Sequence, residues 1–260
     1  NSIIGNAATF TTFNTGYYAV YLKGLSSSAK DVNTVVSNNQ FTGFGQSAIK
    51  IENNDGAIIE KDTIHGWTQI TGATEIKAIW VASNSTNTTV RSNSIYGIVN
   101  LVNGSSVTGI EVSSGVPSSN TLCYNNFIYG IITSGGAGTS GNTTRGIFVS
   151  NASGTGDKFY HNSIYLSNSD ASNASVSYST GFEATTNSSS GFTFKNNIVF
   201  NEMTHGSPNA HSYAVRISSA SIPSGVTLNN NLYWTPSSEI PQGYVGRLGT
   251  VDKQTISEIG

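Results

Sequence analysis

Along this chain an apolar side chain recurs three residues before a polar amide, and another recurs two residues after it. Val36, Asn39 and Phe41 form one copy; Ile59, Asp62 and Ile64 form the next; Val90, Asn93 and Ile95 the one after. Cys123, Phe159, Phe194 and Leu228 lead the later copies. Apolar-x-x-Asn-x-apolar predicts two short strands meeting at a tight bend. An asparagine suits such a bend, because its short amide tolerates the left-handed region and can bond its own backbone. With the amide as origin, copies fall at Asn1, Asn39, Asp62, Asn93, Asn126, Asn162, Asn197 and Asn231. Successive separations are 38, 23, 31, 33, 36, 35 and 34 residues, a period that points to a solenoid or a propeller.

A second pattern precedes each origin at a steady distance. Ala19-Val20-Tyr21-Leu22, Ala48-Ile49-Lys50-Ile51, Ala78-Ile79-Trp80-Val81 and Gly109-Ile110-Glu111-Val112 begin the series. Gly146-Ile147-Phe148-Val149, Gly181-Phe182-Glu183-Ala184 and Ala214-Val215-Arg216-Ile217 continue it. Small-apolar-x-apolar is a half-buried strand with one outward residue at its centre. Each repeat therefore holds three short strands: this one, called strand one, then strands two and three on either side of the bend. Only residues 250–259 carry a helical pattern. The expected fold is all-β, a right-handed parallel β-helix (solenoid) of about seven to eight coils of three short strands. Leucine-rich repeats would need many more leucines, propellers of the WD type a Trp-Asp signature, and left-handed helices a period of six. The repeats are expected to fill 1–235 and to continue N-terminally. Pro236, Pro241 and the charged stretch after Glu239 mark 236–260 as a repeat-breaking segment, a cap or the start of another module.

The Asn-Asn-x-Ile-Tyr phrasing, the Gly-Ile-x-Val strands and the ending Asn229-Asn230-Asn231-Leu232-Tyr233-Trp234 resemble right-handed parallel β-helix repeat regions. They are most similar to those of large secreted or surface proteins of Bacteroidota-type bacteria. The resemblance covers nearly the whole chain and implies export and a structural, adhesive or carbohydrate-contacting role. Related β-helices include polysaccharide lyases and phage tailspikes, so an enzyme is implied by analogy alone.

In stacked coils the origins lie about 4.8 Å apart and predict a ladder of amides from Asn1 to Asn231, with Asp62 as its one acid. At the third residue after the origin, His65, Tyr96, Tyr129, Tyr165, Phe200 and Trp234 predict a file of stacked rings. The longer connections before strand one (66–77, 97–108, 130–145, 166–180 and 201–213) read as surface loops flanking a trough. The outward residues of that trough are Lys50, Trp80, Glu111, Phe148, Glu183 and Arg216. Aromatic faces and carboxylates there would suit a glycan. Glu111 and Glu183, two coils and about 10 Å apart, would be the acid pair if the chain were a glycosidase.

Composition narrows the rest. Charged residues make up 10% of the 260, and the net charge is −2, which gives no field for nucleic acid. One cysteine, Cys123, excludes an internal disulfide framework, and its core position predicts a buried small hydrophobe. His65, His161, His205 and His211 lack metal-ligand spacing, so neither metal nor other cofactor is expected. No run of eighteen apolar residues predicts membrane insertion. Seven N-x-S/T sequons, among them Asn84, Asn87, Asn103 and Asn142, would be surface sites in a glycosylating host. The expectation is a non-enzymatic extracellular or cell-surface module whose partners are glycans or other copies of itself. The alternative is a β-helical hydrolase or lyase acting through Glu111 and Glu183.

Overall fold

A computed structural model describes residues 2–4, 7–9, 18–69, 75–133, 142–150, 155–170, 177–185, 191–207, 209–235, 243–255 and 257. It is an all-β solenoid of stacked parallel sheets, close to the expected number of turns. Sheet one holds Tyr18–Lys23, Ser47–Glu52, Glu75–Val81, Ser106–Val112, Thr143–Val149, Tyr178–Ala184, His211–Ile217 and Gly243–Leu248. Sheet two holds the strands before the bend, from Ser2–Ile4 and Val35–Ser37 to Thr227–Asn229. Sheet three holds those after it, from Ala7–Thr9 and Gln40–Thr42 to Leu232–Trp234.

The core is a set of side-chain columns. Ile49, Ile79, Ile110, Ile147, Phe182 and Val215 pair coil on coil in sheet one. Val36, Ile59, Val90, Cys123, Phe159 and Phe194 do so in sheet two, and Phe41, Ile64, Ile95, Ile128, Ile164 and Val199 in sheet three. All of these are buried. The small residue that opens each strand-one motif answers to crowding. A Cβ on Gly146 would stand 2.5 Å from the Gly181 carbonyl oxygen and 2.5 Å from Ile164 Cγ2.

The bend is built one residue earlier than the pattern suggested. The left-handed residue is not the ladder amide but the one before it: Asn38, Lys61, Ser92, Asn125, His161, Asn196 and Asn230, with φ from 52° to 58°. The ladder residue is thereby turned inward, which is why the sequence so often doubles the asparagine. Lys61, Ser92 and His161 hold a conformation that costs a side chain other than Gly or Asn roughly 1 kcal/mol. Replacing His161, whose φ is 54°, with Asn is expected to raise stability by about 0.5–1 kcal/mol in a urea melt. A midpoint equal to or below that of the unchanged chain would refute this account of the bend.

Four other expectations change. Asn1 lies outside the described residues, but Ser2–Ile4 pairs with Val35–Ser37 and Ala7–Thr9 pairs with Gln40–Thr42. Ile3 thus pairs with Val36, before the bend, and an origin at position 1 does not fit the register. The stretches read as loops before strand one are partly strand. Thr63–Gln69 and Ser94–Asn100 run on past the bend, and strand one starts as early as Glu75, Ser106, Thr143, Tyr178 and His211. The repeat also passes 235, because Gly243–Leu248 joins sheet one beside His211–Ile217. Gly246 pairs with Val215 there, so the apolar residue that marks other strand-one copies is missing. Finally, Val251–Lys253 is not helical but returns antiparallel along Gly246–Leu248.

Candidate functional site

The amide ladder continues from Asn39 to Asn231. The backbone N–H and side-chain amide of Asn93 both donate to Asn126 Oδ1, at 3.1 and 3.0 Å. Asn126 does the same to Asn162, Asn162 to Asn197, and Asn197 to Asn231. From Asn93 to Asn231 each side-chain amide also donates back to a carbonyl of the previous coil's sheet two, as Asn126 does to Val90 at 2.9 Å. Every hydrogen-bonding atom of these amides is consumed by the fold. Asp62 accepts both Asn39 donors through Oδ1, but its Oδ2 is buried with no partner. Burial raises its pKa to about 6, against the bonds from Asn39.

The ring file stacks in part. His65 lies 5.0 Å from Tyr96, and Tyr96 lies 4.9 Å from Tyr129, with ring planes within 12°. Phe200 and Trp234 are 5.2 Å apart at 35°.

Sheet one aligns the trough residues in register: Tyr21, Lys50, Trp80, Glu111, Phe148, Glu183, Arg216 and Arg247 follow one another coil by coil. They are not a solvated row. Lys50, Glu111 and Glu183 are 9, 5 and 3% exposed. A second file, three residues earlier in each strand, supplies partners that sequence reasoning placed in loops: Lys77, Arg145 and Tyr213. The signal was present in strand alternation, since Lys77 directly follows Ile76 and Arg145 directly follows Thr144, but polar neighbours hid it.

Glu183 is the most heavily bonded. Arg145 Nε donates to its Oε2 at 2.6 Å, Arg216 Nη1 donates to Oε1, and Tyr178 Oη donates at 3.1 Å. Arg145 also donates to Tyr178 Oη at 2.8 Å and covers the Phe148 ring, 4.3 Å from its centre. Burial works against the Arg145 cation, but Glu183 and Tyr178 outweigh it and hold its pKa above the ordinary value. Burial and Glu183 together raise the Tyr178 phenol. Glu111 is met by Lys77 at 3.2 Å and by the Ser150 hydroxyl at 3.1 Å. Its pKa is raised chiefly by burial, with Lys77 opposing.

Trp80 carries two ammonium groups on its ring, Lys77 at 3.8 Å and Lys50 at 4.2 Å, and its indole N–H donates to Ser113. Lys50 is drawn on by Glu52 at 3.3 Å and by the Tyr18 and Tyr21 rings. The file is therefore a run of interleaved cations, acids and rings that neutralise each other. Each aromatic face and carboxylate expected to meet a ligand already has a protein partner.

The remaining candidates resolve simply. Cys123 is fully buried, and burial drives its thiol pKa up, so it is inert as a nucleophile. Among the described residues no three His, Cys, Asp or Glu side chains are grouped as a metal site would need. Asn142 is buried and accepts the backbone N–H groups of Gly104 and Ser105, which removes it as a glycan acceptor, whereas Asn87 and Asn103 are exposed. One pocket of about 310 Å³ opens at the C-terminal end of sheet one, lined by Ser177, Tyr178, Asn209, His211, Tyr213, Arg216 and Arg247. No protein-family model, curated protein or solved structure matches the chain.

Proposed function

We propose that this chain is a rigid, non-enzymatic segment of a large extracellular or cell-surface protein of the Bacteroidota type. It extends the molecule, presents its loops and offers a surface to glycans or to other copies of itself. One observation carries the reading: Glu111 and Glu183 are both buried and both bound to cations across coils. A general acid needs a proton to give and a substrate within reach. Glu183 meets two guanidinium groups instead, and the ammonium and hydroxyl around Glu111 hold it in the sheet. The same bonds tie each coil to its neighbour, as a rod requires.

The reading is tested by incubating the chain with a panel of neutral and acidic polysaccharides and following reducing ends and unsaturated products. No product is expected, either from the unchanged chain or from Glu111→Gln. Product formed by the unchanged chain and lost in Glu111→Gln would establish the β-helical hydrolase or lyase instead.

A further inference from the structure

We propose that the pocket at the C-terminal end of sheet one binds an acidic sugar, a carboxylate or sulfate group carried on a pyranose ring. The charge pattern of the trough file points there. From Tyr21 to Glu183 each charged residue has an aromatic residue or an opposite charge as its neighbour on the next coil. Arg216 and Arg247 break that rule: they are direct register partners on adjacent strands. Like charges opposite one another destabilise a sheet, and here two guanidinium groups stand one coil apart.

Nearby acids answer only part of this charge. Glu183 takes Nη1 of Arg216 and is shared with Arg145. Asp252 lies 3.6 Å from Arg247 Nη1 and also accepts the Tyr213 hydroxyl at 3.1 Å. Three guanidinium groups thus face two carboxylates. Of five N–H donors on each guanidinium, Arg216 commits Nη1 to Glu183, while Arg247 commits Nη1 to Tyr213 and Nε to the Gly249 carbonyl. Both side chains are 26% exposed at the pocket they line. A planar carboxylate or a sulfate accepts such forked donors in pairs.

The rest of the lining selects for a sugar ring rather than a bare anion. His211 and Tyr178 are part-exposed rings in the lining and Asn209 adds an amide, while Tyr213 is buried beneath them and the Arg216 guanidinium lies 4.3 Å from the centre of the Tyr178 ring. His211 Nδ1 is buried with no hydrogen-bond partner. The volume of about 310 Å³ stands at the small end of ligand pockets, which run from about 300 to 1,000 Å³. One or two sugar units would fill it.

The inference deepens the glycan-contacting part of the proposed function and rests on that part alone. Titration calorimetry of the whole chain would use trigalacturonate, its methyl ester, a sulfated disaccharide and inorganic sulfate. One or both acidic saccharides are expected to bind, with the methyl ester and inorganic sulfate at least tenfold weaker. Which saccharide binds decides between carboxylate and sulfate. Arg247→Gln leaves the Glu183 cluster in place and is expected to weaken binding at least tenfold, with Arg216→Gln doing the same if its melt shows it folded. No binding of either acidic saccharide at millimolar concentration, equal binding of inorganic sulfate, or affinity unchanged in Arg247→Gln would each overturn the proposal. Such failure leaves the rod reading standing, since that reading falls only on cleavage.

Discussion

Glu183→Gln is expected to destabilise the fold by about 3–5 kcal/mol, a large share of the total stability of a single domain. The carboxylate is 3% exposed and answers two guanidinium groups, Arg145 at 2.6 Å and Arg216, as well as Tyr178. Arg145 is itself only 15% exposed, so removing Glu183 leaves a desolvated cation with no counter-charge. That orphaned charge, rather than the lost attraction, dominates the cost. The same logic predicts rescue: Arg145→Met added to Glu183→Gln should recover at least half the loss. Urea denaturation of the four members of the cycle measures both numbers. If Glu183→Gln alone unfolds at the midpoint of the unchanged chain, the cluster is a surface arrangement and the account fails.

Asp62→Asn should act in the opposite direction and only above acid pH. At this position of the ladder Asn93, Asn126, Asn162 and Asn197 each donate both to the next coil and back to a carbonyl of the previous one. Asp62 accepts from Asn39 but has nothing to donate, and its Oδ2 is buried with no partner. Its pKa in the fold is about 6 against an ordinary 3.8, because burial disfavours the charged form. Below 3.8 the side chain is protonated in both folded and unfolded chains, and no penalty applies. As pH rises the unfolded chain releases its proton first, so stability falls between about pH 4 and 6 and stays low above. A shift of about two units corresponds to roughly 3 kcal/mol at most. Asp62→Asn is expected to restore about 1–3 kcal/mol at pH 7 and to flatten that decline. Melts of both chains at pH 3.5, 5 and 7 provide the check. Equal stability at pH 7, or a difference that grows toward acid, would show that the acid fits the ladder as it stands.

Much of this architecture can be read from residues alone, and the reason is repetition. A column such as Ile79, Ile110, Ile147 and Phe182 is visible because the same buried environment recurs at every coil and admits few side chains. The ladder is legible for the same reason. The bend was misplaced by one residue because two adjacent asparagines can share two jobs, and only the backbone shows that Asn125 turns while Asn126 bonds. The site was harder. Glu111 and Glu183 read as outward because alternation makes them so, yet outward from the core is not the same as exposed. Their cover comes from Lys77, Arg145 and Tyr178, in stretches whose serines, threonines and glycines look like loop. Cross-coil pairing lets such polar residues lie in strands, where long cationic side chains reach over the neighbouring coil. The pocket beside Arg247 was out of reach from sequence, since Gly246 takes the place of the apolar residue that marks every other copy of strand one.

The ladder also has a direction. From Asn93 to Asn197 each side-chain amide gives one proton to the Oδ1 of the next coil toward the C-terminus, and from Asn126 to Asn231 each Oδ1 accepts from the coil before it. The column is thus a row of aligned dipoles with a donor pole and an acceptor pole, much as a helix has. Two such columns set donor pole to donor pole would repel, so a two-fold stack through the ends of the rod forfeits the ladder. Only a coil added in the same sense, by translation and a turn, can continue it, and an operation of that kind does not close on itself.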